Sequence, residues 1–302
     1  MTSKPTTKIF DVIIIGGGQA GLAVGYYLRR ANLKQANLDF IILDNQPRSG
    51  GAWQHFWPSL RLFSPATVSS LPGKMMTAVK DQDSPYLDDV LTYLDTYEKH
   101  YKLPIYRPYD VQSVERDDEN DCLRVSDGKI TWLARTVVSA TSIWSNPYIP
   151  EIEGRQTFQG EQIHSAHYAG IENYKDKRVL VVGAGNSGAQ IFAELVQVAD
   201  ASWVTREEPQ FLPDDVDGRV LFERATKRVQ NASSGDTQGE DNAQQAPKGN
   251  IVMMPLVKAA RDKGLLTTQP MFQRLTRACL QLDYVAKNLI DFCQTRIITQ
   301  LI

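Results

Sequence analysis

Cysteine is scarce in this sequence: Cys122, Cys279 and Cys293 are the only three, and none forms a CxxC pair. That spacing excludes a redox dithiol motif and a disulfide framework, and a reducing cytoplasm is the expected compartment. Histidine is also sparse. His55, His100, His164 and His167 fall in no HExxH pattern, and without a Cys/His cluster no metal site is expected. No apolar run reaches the roughly 18 residues a membrane-spanning helix needs, and the polar start MTSKPTTK has no signal-peptide core. The net charge of −2 provides no broad basic surface for nucleic acid or an anionic membrane. Neither partner is expected.

The 302 residues suffice for two domains. Residues 9–15, IFDVIII, form a run that is apolar at every position but Asp11 and rich in β-branched residues, the pattern of a strand buried on both faces. GGGQAG follows, then LAVGYYLRR with helical periodicity, then DFIILD at 39–44. This is a βαβ unit. It recurs as RVLVV, GAGNSG, AQIFAELVQ and SWVTR over 178–206. Between the copies, 88–101 reads as a helix, and 105–115, 121–126 and 130–140 as strands of a meander. Residues 231–250 are polar and low in complexity, an expected surface insertion. Order resumes, partly helical, over 251–266. The expected fold is α/β, with two Rossmann-like three-layer dinucleotide-binding domains.

Gly16, Gly18 and Gly21 match GxGxxG between a strand and a helix. The first glycine permits the tight turn, the second lets backbone approach a pyrophosphate, and the third lets helix and strand pack closely. The helix N-terminus, with Gln19 and Ala20 in its first turn, then presents free N–H groups to the phosphates. Asp44 closes the next strand, where a carboxylate accepts ribose hydroxyls. Gly183, Gly185 and Gly188 repeat the spacing, with Asn186 and Ser187 expected at the phosphate or nicotinamide side. Here Thr205 and Arg206 stand in place of the acid. An acid repels a 2′-phosphate, whereas arginine binds one through charge-assisted hydrogen bonds. The first site therefore suits FAD and the second NADPH, with hydride passing from nicotinamide to flavin.

The segment before the second unit reads Phe158-Gln-Gly160-Glu-Gln-Ile-His164-Ser-Ala-His-Tyr168. It resembles the FxGxxxHxxxY fingerprint of the class B flavin-containing monooxygenases. Gly50, Gly51 and Trp53 resemble that family's GGxW element, and Ala140-Thr141-Ser142 with Pro147 its ATG motif and trailing proline. Residues 53–73 and 213–225 resemble the bacterial branch found in arsenic-resistance operons. The resemblance covers roughly residues 9–272. It implies Gly51, Trp53 and Thr141 as further FAD contacts. It also implies a C4a-hydroperoxyflavin that transfers one oxygen from O₂ to a small soft nucleophile at nitrogen, sulfur or arsenic.

No catalytic side chain is identified. Trp53, His55, Phe56, Trp57, Phe63 and Ser64 are candidate pocket walls, and His164 is read as shaping a hinge, not as a base. The alternatives left open are an NADPH-dependent flavin reductase or oxidase without oxygen transfer, and a catalytically impaired dinucleotide-binding protein. A homodimer is also left open.

Two departures stand against the resemblance. Ser142 replaces the glycine of ATG, which carries strain if the backbone there needs positive φ. Residues 276–302 lack Gly and Pro and read as one helix or two, where the family returns to its FAD domain. The expected division is therefore an FAD domain at 1–165, an NADPH domain at 166–275 inserted in it, and an atypical tail at 276–302, a remnant of the return. Looser flavin retention is expected.

Overall fold

The computed structural model describes residues 8–77, 84–234, 249–276, 280–281 and 296–299. Strand β1 (Ile9–Ile15), helix α1 (Gln19–Leu33) and strand β2 (Phe40–Leu43) form the first βαβ unit. Helix α2 (Leu87–His100), β3 (Ile105–Tyr106), β4 (Ser113–Asp117), β5 (Cys122–Ser126) and β6 (Thr131–Ser139) follow. Together they build a six-stranded sheet in the order β3-β2-β1-β6-β5-β4. β1 pairs in parallel with β2 and β6, and β3 in parallel with β2, while β4, β5 and β6 form the expected antiparallel meander.

The apolar runs have a direct cause. Ile14 and Ile42 pack on one face with Val24 and Leu28 of α1, while Ile13, Ile41 and Leu43 pack on the other with Tyr109 and Trp132. Successive side chains alternate between faces, so a strand covered on both sides must be apolar at nearly every position.

The second sheet comprises β7 (Gln162–His164), β8 (Arg178–Val182), β9 (Asp200–Thr205), β10 (Thr268–Pro270) and β13 (Arg296–Thr299), with α3 (Asn186–Leu195) joining β8 to β9. Its order is β10-β9-β8-β13-β7, parallel throughout. Helices α4 (Arg219–Ser234) and α5 (Pro255–Asp262) belong to the same part of the chain, and β11 (Arg274–Leu275) pairs antiparallel with β12 (Leu280–Gln281). Most of the low-complexity insertion, 235–248, lies outside the described residues.

The tail requires a correction. Residues 296–299, expected to be helical, form β13 between β7 and β8. Ile297 and Ile298 are both buried, on opposite faces. A short strand buried on two sides has no alternation to distinguish it from a helix segment. Apart from 280–281, the tail beyond Thr276 and before Arg296 lies outside the described residues. No described strand after β6 joins the first sheet.

Of the described residues, 8–54, 69–77 and 86–145 cluster as one unit, and 55–68, 84–85 and those from 146 onward as the other. Segment 55–68, expected in the first domain, is thus built into the second. There Leu62 N–H donates to the Pro85 carbonyl at 2.9 Å, Arg61 to the Ser84 carbonyl at 3.0 Å, and Gly218 N–H to the Phe63 carbonyl at 2.8 Å.

Candidate functional site

The β1–α1 turn gathers most of the residues predicted for the first site. Gly16 has φ +107°, and a Cβ there would lie 2.4 Å from the Ala140 carbonyl oxygen; one on Gly21 would lie 1.9 Å from that of Gly16. Both glycines are demanded by the chain's own packing. Gly18 differs. A Cβ on it would meet only the Gly51 Cα, at 3.9 Å, so its flank is open to a close-approaching ligand. Gly51, at φ +52°, lies back to back with Gly18.

Gln19 Oε1 accepts a hydrogen bond from Trp53 Nε1 at 3.1 Å, bringing two predicted FAD residues together. Ala20 is exposed in the first turn, and Thr141 is exposed beside Gly16. Helix α1 has no side-chain cap and no acid in its first turn, which leaves its N–H groups for an anion. The open flank and uncapped helix fit a dinucleotide pyrophosphate.

Asp44 stands at the end of β2 as predicted, but it is 3% exposed and already partnered. Its Oδ2 accepts from Arg107 Nε at 2.6 Å, and the same guanidinium grips Glu98 through Nη1 and Nη2 at 3.1 and 2.9 Å. Oδ1 is the oxygen left for a ribose hydroxyl. No motif in the sequence marks Arg107 or Glu98. Ser142 has φ +60°, so the strain expected from serine in the ATG position is present.

In the second turn Gly183 has φ +121°. Its carbonyl accepts from Trp203 Nε1 at 2.8 Å and its N–H donates to Val204 at 2.9 Å. Trp203 is buried and stacked on Phe192, an anchor for the turn that the sequence reading missed. Gly185 precedes α3, which again has neither a side-chain cap nor an acid in its first turn. Ser187 is half-buried and Gly188 buried; Thr205 is buried, and Arg206 is exposed at the end of β9.

Asn186 requires a correction. Its Nδ2 donates to the Asn250 carbonyl at 2.9 Å and its Oδ1 accepts from Val252 N–H at 2.8 Å. The amide therefore pins the returning chain instead of facing a phosphate, and the backbone N–H is the group left for the predicted contact.

Each named fingerprint side chain has a local task. Phe158 is buried with Leu180, Val182 and Ile297. His164 Nδ1 accepts from Ala166 N–H at 3.0 Å and caps the turn Ser165–His167. That bond places the imidazole hydrogen on Nε2, which is buried without a hydrogen-bond partner. Burial and neighbouring His167 hold His164 below its ordinary pKa, consistent with a structural imidazole. Together with Pro147, Tyr148, Arg155 and His167 it lines a cavity of about 520 Å³.

Tyr168, 1% exposed, donates from its hydroxyl to Glu194 Oε1 at 2.5 Å, and Ser59 Oγ donates to Oε2 at 2.5 Å. Burial raises the Glu194 carboxyl above its ordinary range, partly opposed by these two donors. Of the candidate pocket walls, Trp57 is 2% exposed and packs edge-on against Tyr168. Phe63 stacks on Phe222, Ser64 is buried and His55 is exposed. Trp57 and Phe63 are thus committed to packing within the second unit.

The pyridine nucleotide-disulphide oxidoreductase family matches residues 13–239. A flavin-containing monooxygenase from Stenotrophomonas maltophilia is 42% identical with a TM-score of 0.81, over 97% of this chain and 78% of that one. An uncharacterized CzcO-like oxidoreductase of Geobacillus kaustophilus is 36% identical over 214 residues, 71% of this chain and 59% of the relative. A probable indole-3-pyruvate monooxygenase, YUCCA8 of Arabidopsis thaliana, is 29% identical over 239 residues, 76% of this chain and 55% of the relative. The chain spans between about half and three fifths of the length of the curated relatives it matches.

Proposed function

This chain belongs to the pyridine nucleotide-disulphide oxidoreductase family, among its flavin-containing monooxygenases, and we propose that it uses NADPH and O₂ to oxygenate a small soft nucleophile at nitrogen, sulfur or arsenic. The observation that carries this reading is the pair of glycine turns that open helices with no acid in the first turn, one followed by buried Asp44 and the other by exposed Arg206. Bound FAD and NADPH would supply the redox chemistry and the activation of oxygen.

The chain's own part is binding, orientation and exclusion of water. The backbone at Gly18 and the first turn of α1 would hold the FAD pyrophosphate, and Asp44 Oδ1 a ribose hydroxyl. The backbone at the start of α3 would hold the second pyrophosphate, and Arg206 the 2′-phosphate. Among the described residues the one cysteine is Cys122, buried and unpaired in β5.

The test follows NADPH consumption, peroxide release and product together, with amine, thioether and trivalent arsenical substrates. Product formed in step with NADPH supports the proposal. Peroxide alone would mark a reductase or oxidase, and nucleotide binding without turnover an impaired protein; either result overturns it. Replacing Arg206 with alanine should weaken NADPH binding roughly ten- to a hundredfold, the scale of a hydrogen bond to a charged group, and NADH binding much less. Equal losses for the two nucleotides would remove the case for phosphate recognition.

A further inference from the structure

We propose that Glu194 is a positioning residue that holds segment 55–68 in register with α3, the helix that opens the second nucleotide turn, and thereby keeps oxygen transfer coupled to NADPH use. The coupling half of this statement rests on the function proposed above; the positioning half does not.

Glu194 is out of place by composition. Every residue of α3 from Gly188 to Leu195 is buried, and Glu194 is the one carboxylate among them. It is 7% exposed, with no salt bridge to a cation among the described residues. A buried carboxyl without a counter-charge costs stability unless its oxygens are hydrogen-bonded. Here each oxygen receives one hydroxyl, from Tyr168 and from Ser59, both at 2.5 Å.

Those donors come from distant parts of the chain, 26 residues before Glu194 for Tyr168 and 135 for Ser59. Trp57 then closes a ring, its edge against Tyr168 with centroids 5.6 Å apart. The fingerprint tyrosine, the buried carboxyl and segment 55–68 form one clip.

A second fastening lies farther along the same segment. Gly218 N–H donates to the Phe63 carbonyl at 2.8 Å, and a Cβ on Gly218 would lie 2.3 Å from the Phe63 ring. The segment is thus held at 57–59 to α3 and at 63 to the chain leading into α4. Glu194 lies eight residues beyond Asn186, about 12 Å along the helix axis. It is too far to touch a nucleotide at the turn, and it acts through the helix and the two hydroxyls.

The test compares Glu194→Gln, Ser59→Ala and Tyr168→Phe in the FAD-loaded chain. The two hydroxyl variants leave α3 unaltered and guard against a Glu194 variant that fails to fold. Amide hydrogen exchange over 57–63 should rise about tenfold, the factor one hydrogen bond is worth, with α3 and β8 still protected. NADPH affinity should change less than threefold while product per NADPH falls and peroxide rises. Adding Glu194→Gln to the Ser59→Ala/Tyr168→Phe pair should raise exchange at 57–63 no further, as for groups acting in one contact.

Unchanged exchange at 57–63 in all variants would overturn the positioning role, as would a uniform rise across the whole unit. Faster exchange with unaltered product per NADPH would overturn the coupling role. A wild-type chain that forms no product is a failure of the functional reading instead, and the exchange measurement then decides the positioning role alone.

Discussion

Ser142 is a serine held at φ +60°, in a region where an L-residue costs roughly 1–2 kcal/mol. A glycine there relieves the strain but brings about 0.5–1 kcal/mol of extra chain entropy to lose on folding. Ser142→Gly should therefore stabilise the protein by about 1 kcal/mol, read as a higher urea midpoint at constant slope. An unchanged midpoint would show that the strain is relieved by other means. At this scale some roles could be read in advance and some could not. Gly16 and Gly21 are demanded by the turn and the helix–strand packing that their spacing implies, because the reason for each is local backbone sterics. Asn186 does not, since its amide is claimed by Asn250 and Val252, and nothing near it in sequence announces those partners.

Among the elements, β3 is only two residues long and pairs with β2 at the edge of the first sheet. The Asp44–Arg107–Glu98 cluster reinforces that edge by tying the end of β2, the residue after β3 and helix α2. Arg107 is 13% exposed in its side chain, so its two carboxylate partners are poorly screened. Arg107→Met should destabilise the protein by about 3–5 kcal/mol, because both carboxylates lose their counter-charge. Adding Asp44→Asn should recover part of the loss in chemical denaturation. A loss below about 1 kcal/mol would mean that the cluster behaves as an ordinary surface pair. The βαβ elements themselves are legible from apolar runs, glycine turns and helical periodicity, and the meander from its short strand-like segments. β13 is not, since a four-residue strand covered on both faces carries no period of its own.

For the molecule as a whole, Glu194 gives a pH dependence whose sign follows from its burial. Its carboxyl is raised above the ordinary 4.5 in the folded state, while the unfolded chain ionises near that value. The folded state therefore binds the proton more tightly, so this contribution is fully present below about pH 4.5 and is lost as pH rises through the raised pKa. Glu194→Gln should flatten that decline in urea titrations run from pH 4.5 to 8. Parallel wild-type and variant curves would mean that the carboxyl keeps its ordinary affinity on folding.

Two glycine turns, the strands before and after them, and the opposite charges of Asp44 and Arg206 were all readable in one dimension. Each rests on neighbours within one βαβ unit, where backbone sterics and side-chain periodicity leave a local trace. Three-dimensional packing alone seated residues 55–68 in the second unit, gave Asp44 to Arg107, clasped Glu194 between Ser59 and Tyr168, and placed β13 in a sheet. Those contacts join residues 23 or more positions apart, and a pairing across that separation leaves no spacing, period or motif in the chain.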